Sequence, residues 1–233
     1  VSVFGLRLDL HNHTRFSADG FLSPAALLEI AAARGIDCMA VTDHNSIRGG
    51  LEALAVADSD KSLPRVIPGI ELLTAEGEII GLYLQEDIPA GLSLERSVEL
   101  VRQQGGLVYL PHPCDRFRRG TISRKARVRA AGLADIIETF NGRALSPWAN
   151  ANASRLARRM AKPCGAGSDA HCKKEVGQAY VVVHEYPTRD TLVSLVEAGT
   201  VAHRLGRREY ALNWGMQGLS PFTRICRRVT SQL

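Results

Sequence analysis

Short apolar runs alternate with helical segments along almost the whole chain, and this alternation constrains the fold more than any other feature. The runs are Val3 to Leu10, Ile36 to Val41, Pro64 to Pro68, Glu78 to Leu84, Leu107 to Leu110, Ala134 to Phe140, Pro163 to Gly167 and Tyr180 to Val183. Their length and bounding turn residues are those of buried strands. Between them lie helical stretches. Ala25 to Arg34 is opened by Ser23-Pro24 and closed by Gly35, an N-cap, an N-terminal proline and a C-terminal glycine in the expected places. Others are a short helix about Gly50 to Ala57, Ser93 to Gln104 before a Gly-Gly stop, Pro147 to Met160, and Thr188 to Ala198. Strand, helix, strand in this order implies parallel strands with helices packed outside. An α/β barrel of about seven such units fits the 233 residues.

Composition narrows the class. Hydrophobic residues make up 45% of the chain, enough for a sizeable core. No apolar run is long enough to span a bilayer, and no charged-then-apolar leader opens the chain. A cytoplasmic protein with no membrane partner is expected. The five cysteines are scattered, with no C-x-x-C pair, which argues against a zinc ribbon or a disulfide framework. A net charge of +5 favours anionic ligands, while 6% aromatics weighs against a base-stacking surface. One domain is expected over 1–205, with a basic extension over 206–233. Oligomeric state is not legible.

In parallel α/β folds the active site lies at the carboxyl ends of the strands. Of the seven histidines, five fall just past the end of a predicted strand: His11, His13, His44, His112 and His171. Glu71 and Asp169 do so too. His11 and His13 share one face because strand side chains alternate, and Asp169 and His171 repeat that spacing. Asp19 follows in the first loop. Singly, Glu71 could cap a helix and Asp169 could serve a turn; placed together they read as one site. Imidazoles and carboxylates without a thiolate suit zinc, manganese or iron held for catalysis. His184 and His203 lack such a context and read as ordinary residues.

These segments carry a resemblance. Asp-Leu-His11-Asn-His13-Thr with Ser17-Ala-Asp19-Gly20, then Thr-Asp-His44, Gly-Ile-Glu71, His112-Pro and Ser-Asp169-Ala-His171, stand in the order seen in the PHP (polymerase and histidinol phosphatase) family of metal-dependent phosphoesterases. Glu138-Thr-Phe-Asn141-Gly-Arg also resembles that family's segment before the last metal motif. The resemblance implies a distorted (β/α)7 barrel with two or three divalent ions, manganese, iron or zinc, with magnesium as a further choice. It implies that His11, His13, Glu71 and Asp169 hold a first ion. Glu71 would bridge to a second, held also by His112, and Asp19, His44 and His171 would hold a third. Many members have a histidine before the strand that follows the glutamate motif; here Glu78 precedes Ile79-Ile80-Gly81-Leu82. Either Glu78 takes over as a ligand, or it faces solvent at a hairpin beside Ala75-Glu76-Gly77 and the second position is weakened.

Arginine grips phosphate through paired donors. Arg116, Arg118 and Arg119 follow His112, and Arg143 follows its own strand, so these four arginines and His112 are the catalytic candidates. The Arg124 to Arg129 stretch reads as a solvated helix face. The expected activity is hydrolysis of a phosphate ester of a small molecule, a nucleotide among the choices. Two alternatives are a nuclease acting on nucleic-acid ends, with nucleic acid the less favoured partner, and a non-catalytic regulatory module of the same fold.

Overall fold

The structure is a computed structural model and describes residues 5–146 and 148–204. The elements run β1 (Leu6–Asp9), α1 (Pro24–Ala33), β2 (Cys38–Val41), α2 (Arg48–Ser59), β3 (Arg65–Thr74), β4 (Gly77–Leu82), α3 (Leu94–Gln103), β5 (Leu107–Leu110), α4 (Arg127–Leu133), β6 (Ile136–Asn141), α5 (Ala149–Met160), β7 (Cys164–Gly167), β8 (Ala179–Val183), α6 (Leu192–Ala198) and β9 (Thr200–His203). The anticipated helix start holds in detail. Ser23 caps α1 by accepting from the Ala26 amide, and Gly35 takes a φ of +63° after the helix. Ser93 caps α3 in the same way.

The sheet order is β7-β6-β5-β4-β3-β2-β1-β8-β9. The chain leaving β1 closes the curve onto β7. Leu10 N–H donates to Ala166 O (3.1 Å), Asp169 N–H to His11 O (2.7 Å) and His13 N–H to Ala170 O (2.9 Å). On its edge away from β2, strand β1 and its exit therefore serve two neighbours, pairing with β8 at Leu6 to Leu8 and with β7 and its exit from Leu10 on. β1 to β7 make a nearly closed barrel, the distorted seven-stranded form anticipated from the sequence. Each of its strands contributes to one buried apolar cluster that includes Leu8, Ala40, Ile67, Ile80, Tyr109, Ile136 and Ala166. A second cluster, with Leu27, Leu28 and Ala53, seats α1 and α2, and a third, with Val98, Val101 and Ala157, seats α3 and α5.

Two expectations need correction. The strands are not all parallel: β4 runs antiparallel to both β3 and β5, and β8 and β9 are antiparallel too. Only Ala75 and Glu76 separate β3 from β4, too short a link for a crossover, so the two strands form a hairpin. Gly77 allows that turn with a φ of +130°. The second correction is that β9 was not foreseen, and that the helix read over Arg124 to Arg129 begins at Arg127 and runs on to Leu133 as α4. α4 grows out of the basic stretch, whose Arg124, Lys125 and Arg129 are exposed, with Arg129 ion-paired to Glu76 and Glu95. Among the described residues no helix is long and apolar enough to cross a membrane. The stretch 206–233 lies outside the described residues. The four described cysteines are free thiols.

Candidate metal centre

The exits of β1, β2, β5 and β7, together with Glu71 in β3, bring the anticipated residues to one buried place. His11, His13, Glu71, His112, Asp169 and His171 are all buried. His11 and His13 turn their Nε2 atoms toward each other at 3.0 Å. The surrounding network fixes where their protons sit. His11 Nδ1 lies 3.1 Å from a Glu138 oxygen, so it donates there and leaves Nε2 with a lone pair. Ser17 Oγ donates to Asp43 at 2.6 Å, so toward His13 Nδ1 (3.1 Å) it accepts. His13 Nε2 is then the nitrogen left to face an ion, with a lone pair whenever the ring is neutral. Metal-bound imidazoles are oriented by this kind of outer partner.

Around these nitrogens stand the carboxylates. Glu71 Oε2 is 3.3 Å from both His11 Nε2 and His13 Nε2 and 3.2 Å from His44 Nδ1, while Glu71 Oε1 is 2.8 Å from His112 Nε2. Asp169 Oδ1 lies 3.7 and 3.4 Å from the same two Nε2 atoms. Four overlapping groups bring their donor atoms within 4.8 Å of one another: His11 with His13 and Asp169; His11 with Glu71 and His112; His13 with His44 and His171; and His44 with Glu71 and Glu78. Glu71 Oε2, Glu78 Oε2, Asp19 Oδ1, Asp169 Oδ1 and His171 Nε2 are buried without a hydrogen-bond partner. Inward lone pairs and unpartnered anionic oxygens repel one another unless a cation lies among them, so this donor set fits divalent ions. His112 and Asp169 hold positive φ values of +28° and +54°, the kind of backbone strain that gathers at functional sites.

Electrostatics follow from the crowding. Until an ion binds, burial opposes a charge on His13, but the Asp169 and Glu71 carboxylates beside it outweigh that and lift its pKa to about 9, so a proton then holds the place at Nε2 that an ion would take. Burial also opposes ionisation of Glu71 and Asp169. Nearby His11 and His44 hold Glu71 well below the usual carboxylate range, and Arg118 with His11 does the same for Asp169. Burial, reinforced by the Glu71 charge, pushes Glu78 up to about 8. Burial and the Arg143 guanidinium hold His171 well below the usual imidazole value, which keeps it neutral as a ligand must be. Asp19 is the least buried member, its side chain 44% exposed, with Oδ2 at 3.2 Å from His171 Nε2 and Oδ1 at 3.6 Å from His44 Nε2.

The arginines divide. Arg118 enters the centre and ion-pairs with Asp169 Oδ2. Arg143 lies against His171 Nδ1 and 3.8 Å from Asp169 Oδ1, with its Nε 3.4 Å from Glu175. Arg116 and Arg119 are not brought to the centre. Both are exposed, and the Arg116 guanidinium sits 4.7 Å over the ring of Phe117. Consecutive loop residues point in different directions, and only the middle one of Arg118's neighbourhood reaches inward. Sequence reasoning left His203 as ordinary, and it stacks on Phe140 at 4.3 Å, away from the cluster groups.

Several residues that orient the donors were not singled out for that role. The Glu138 carboxylate accepts from His11 Nδ1, from Tyr109 OH (3.2 Å), from His112 N–H (2.6 Å) and from Asn141 Nδ2 (2.9 Å). Asn141 also donates to Asp169 Oδ2 at 3.0 Å. A register shift between Glu138 and Phe140 in β6 puts Glu138 and Asn141 both on the site side, though they are three apart. Asp43 gathers Thr14 N–H, Thr14 Oγ1 and Ser17 Oγ. Asp9 takes the Ser168 amide at 2.9 Å and its hydroxyl, tying β1 to β7. Thr121, which donates to Asp115 O at 2.9 Å, stands 3.5 Å from His112 Nδ1.

Comparison with known proteins agrees with this geometry. The PHP domain model matches residues 9–138, and a PHP-associated model matches 147–201. An uncharacterised protein of Methanocaldococcus jannaschii is 35% identical over 183 residues, covering 77% of this chain and 71% of that one. A 3′,5′-nucleoside bisphosphate phosphatase of Chromobacterium violaceum is 36% identical over 107 residues, and a 5′-3′ exoribonuclease of Haemophilus influenzae is 32% identical over 102. Each of those two matches covers 42% of this chain and 36% of the relative. Among solved structures, a two-domain Bacteroides vulgatus protein containing a predicted PHP-like metal-dependent phosphoesterase has the same fold, with a TM-score of 0.67 at 18% identity over 91% of this chain and 69% of that one. PsfC of Pseudomonas syringae has a TM-score of 0.66 at 21% identity over 94% of this chain and 100% of that one. With the family model covering more than half of its length, the chain belongs to the PHP domain family.

Proposed function

We propose that the chain is a metal-dependent phosphoesterase that hydrolyses a phosphate ester of a small molecule, with nucleotides the first substrates to try. The observation that carries this is the inward convergence of His11, His13, Glu71 and Asp169, each imidazole held with its Nε2 toward the carboxylates. In this reading His11, His13, Glu71 and Asp169 hold one ion, Glu71 and His112 contribute to a second, and Asp19, His44 and His171 hold a third. Ions held by these residues would supply an acidified water as nucleophile and would neutralise phosphoryl oxygens. The chain's own contributions are distinct. Glu138 and Ser17 keep His11 and His13 in the binding tautomer. Arg118 and Arg143, the two guanidiniums that reach the cluster, grip the phosphoryl oxygens and exchange their present carboxylate contacts for them. Asp19, open to solvent on one side, marks the direction from which the ester enters.

The bisphosphate phosphatase relative supports a nucleotide as the small molecule. A second reading, a nuclease acting on nucleic-acid ends, is supported by the exoribonuclease relative and by the exposed Phe117 and Trp148 on the loops after β5 and β6. Exposed aromatic rings beside cations are a platform on which bases stack. Phosphate release from a panel of nucleoside mono- and bisphosphates, measured beside a short 5′-phosphorylated oligonucleotide in manganese, zinc or magnesium, separates them. Faster turnover of the small esters is expected. A strong preference for the oligonucleotide moves the reading to the nuclease, and no hydrolysis with any ion overturns both.

A further inference from the structure

Glu78 is where the centre changes chemical character. In the β3–β4 hairpin Leu73 pairs with Glu78 and Glu71 with Ile80. Directly paired residues lie on one face, and so do residues two apart, so Glu71 and Glu78 share the face turned to the site. The Glu78 side chain is buried, with Oε2 3.7 Å from His112 Nε2 and Oε1 3.9 Å from His44 Nδ1. Its Oε2 has no hydrogen-bond partner. The loop over it is shaped to admit the carboxylate. Glu78 N–H donates to Gly120 O at 2.7 Å, and a Cβ on Gly120 would stand 2.2 Å from the Glu78 carboxyl carbon. Gly120 also has a φ of +81°, so a side chain is disfavoured there twice over.

We propose that Glu78 is a metal ligand and that the position it shares with Glu71 and His112 takes a harder ion than the position made by His11, His13 and Asp169. This rests on the reading of the cluster as a metal centre. With the shared Glu71 counted at both, the two ends differ in imidazoles: two carboxylates and one imidazole near His112, against two carboxylates and two imidazoles near Asp169. Carboxylate oxygens suit manganese and magnesium, and imidazole suits zinc and iron. The centre is then built for two unlike ions, with Glu78 setting the difference.

The test is metal uptake, independent of turnover. Chelator-treated protein is titrated with Mn(II), with free ion followed by electron paramagnetic resonance, and separately with Zn(II) by equilibrium dialysis and metal analysis. Glu78→Gln should bind one manganese fewer than the parent, and Glu78→His should hold zinc at that position while binding manganese more than about tenfold more weakly. Near-UV circular dichroism checks that each variant is folded, and if Glu78→Gln is not, Glu78→His carries the comparison. A Glu78→Gln variant with the parent's manganese uptake overturns the assignment of Glu78 and leaves the other ligands standing. Parent-like manganese affinity in Glu78→His overturns the argument from ligand hardness. A parent that takes up no ion overturns the function on which this rests.

Discussion

Glu138→Gln tests whether outer partners set the state of the centre. One Glu138 oxygen accepts from the His112 backbone N–H at 2.6 Å and from Asn141 Nδ2 at 2.9 Å; the other accepts from His11 Nδ1 at 3.1 Å and from Tyr109 OH at 3.2 Å. A backbone N–H cannot reverse its role, so the glutamine carbonyl must stay beneath His112. The new amide NH2 then faces His11 and Tyr109. Tyr109 can turn its hydroxyl to accept, but His11 can accept only by moving its proton from Nδ1 to Nε2. That removes the lone pair aimed at His13. The change also replaces charge-assisted hydrogen bonds by neutral ones, at about 1.5–3 kcal/mol for a lost one. The melting temperature of chelator-treated protein should fall by roughly 2–4 °C per kcal/mol in a chain of this size. Metal affinity should fall by about 10–100-fold, the usual effect of losing such a partner. Isothermal titration with Zn(II) on parent, Glu138→Gln and Tyr109→Phe separates the two effects. Tyr109→Phe removes a donor to the same oxygen without touching the His11 proton, so it should lose stability and keep metal affinity. If Glu138→Gln binds zinc within twofold of the parent, the tautomer argument is wrong.

His13→Ala should lose bound metal and activity together, and full metal content after His11 and His13 are both changed would refute the centre. Arg118→Ala and Arg143→Ala should lower kcat/KM by tenfold or more with metal content kept, from the loss of about 1.5–3 kcal/mol per charge-assisted contact, while Arg116→Ala and Arg119→Ala stay within twofold. If all four remain within twofold, the arginines do not hold the phosphate. Burial pushes the Cys38 thiol up to about 12 from an ordinary value of 9.0. Because the folded value is the higher, stability is full below pH 9 and is lost as pH rises from 9 toward 12, by about 1.4 kcal/mol per unit. Urea unfolding between pH 8 and 10.5 should show this slope in the parent and a shallower one in Cys38→Ala; equal slopes would remove Cys38 as its source.

The local sequence determined which residues converge on the buried cluster and roughly where they stand. Apolar runs mark strands, and a histidine or acid just after such a run is carried to the end of the sheet where active sites form. That is why His11, His13, His44, Glu71, His112, Asp169 and His171 were legible. So were the start of α1 and the barrel class. Tertiary structure decided the rest, because each remaining feature depends on residues far apart or on a local departure from periodicity. The direction of β4 follows from a two-residue turn, and a continuous apolar run reads alike whether its strand is parallel or antiparallel. The register shift in β6 turns both Glu138 and Asn141 inward, where strict alternation would have put them on opposite faces. Glu138 reaches His11 across 127 residues, and Asp43 reaches Ser17 across 26. Arg116, Arg118 and Arg119 share a loop without a repeating geometry, so nothing in their order told which one would enter the site. A ligand's identity is a property of its side chain, but its proton, direction and partners are set by groups that only the folded chain brings together.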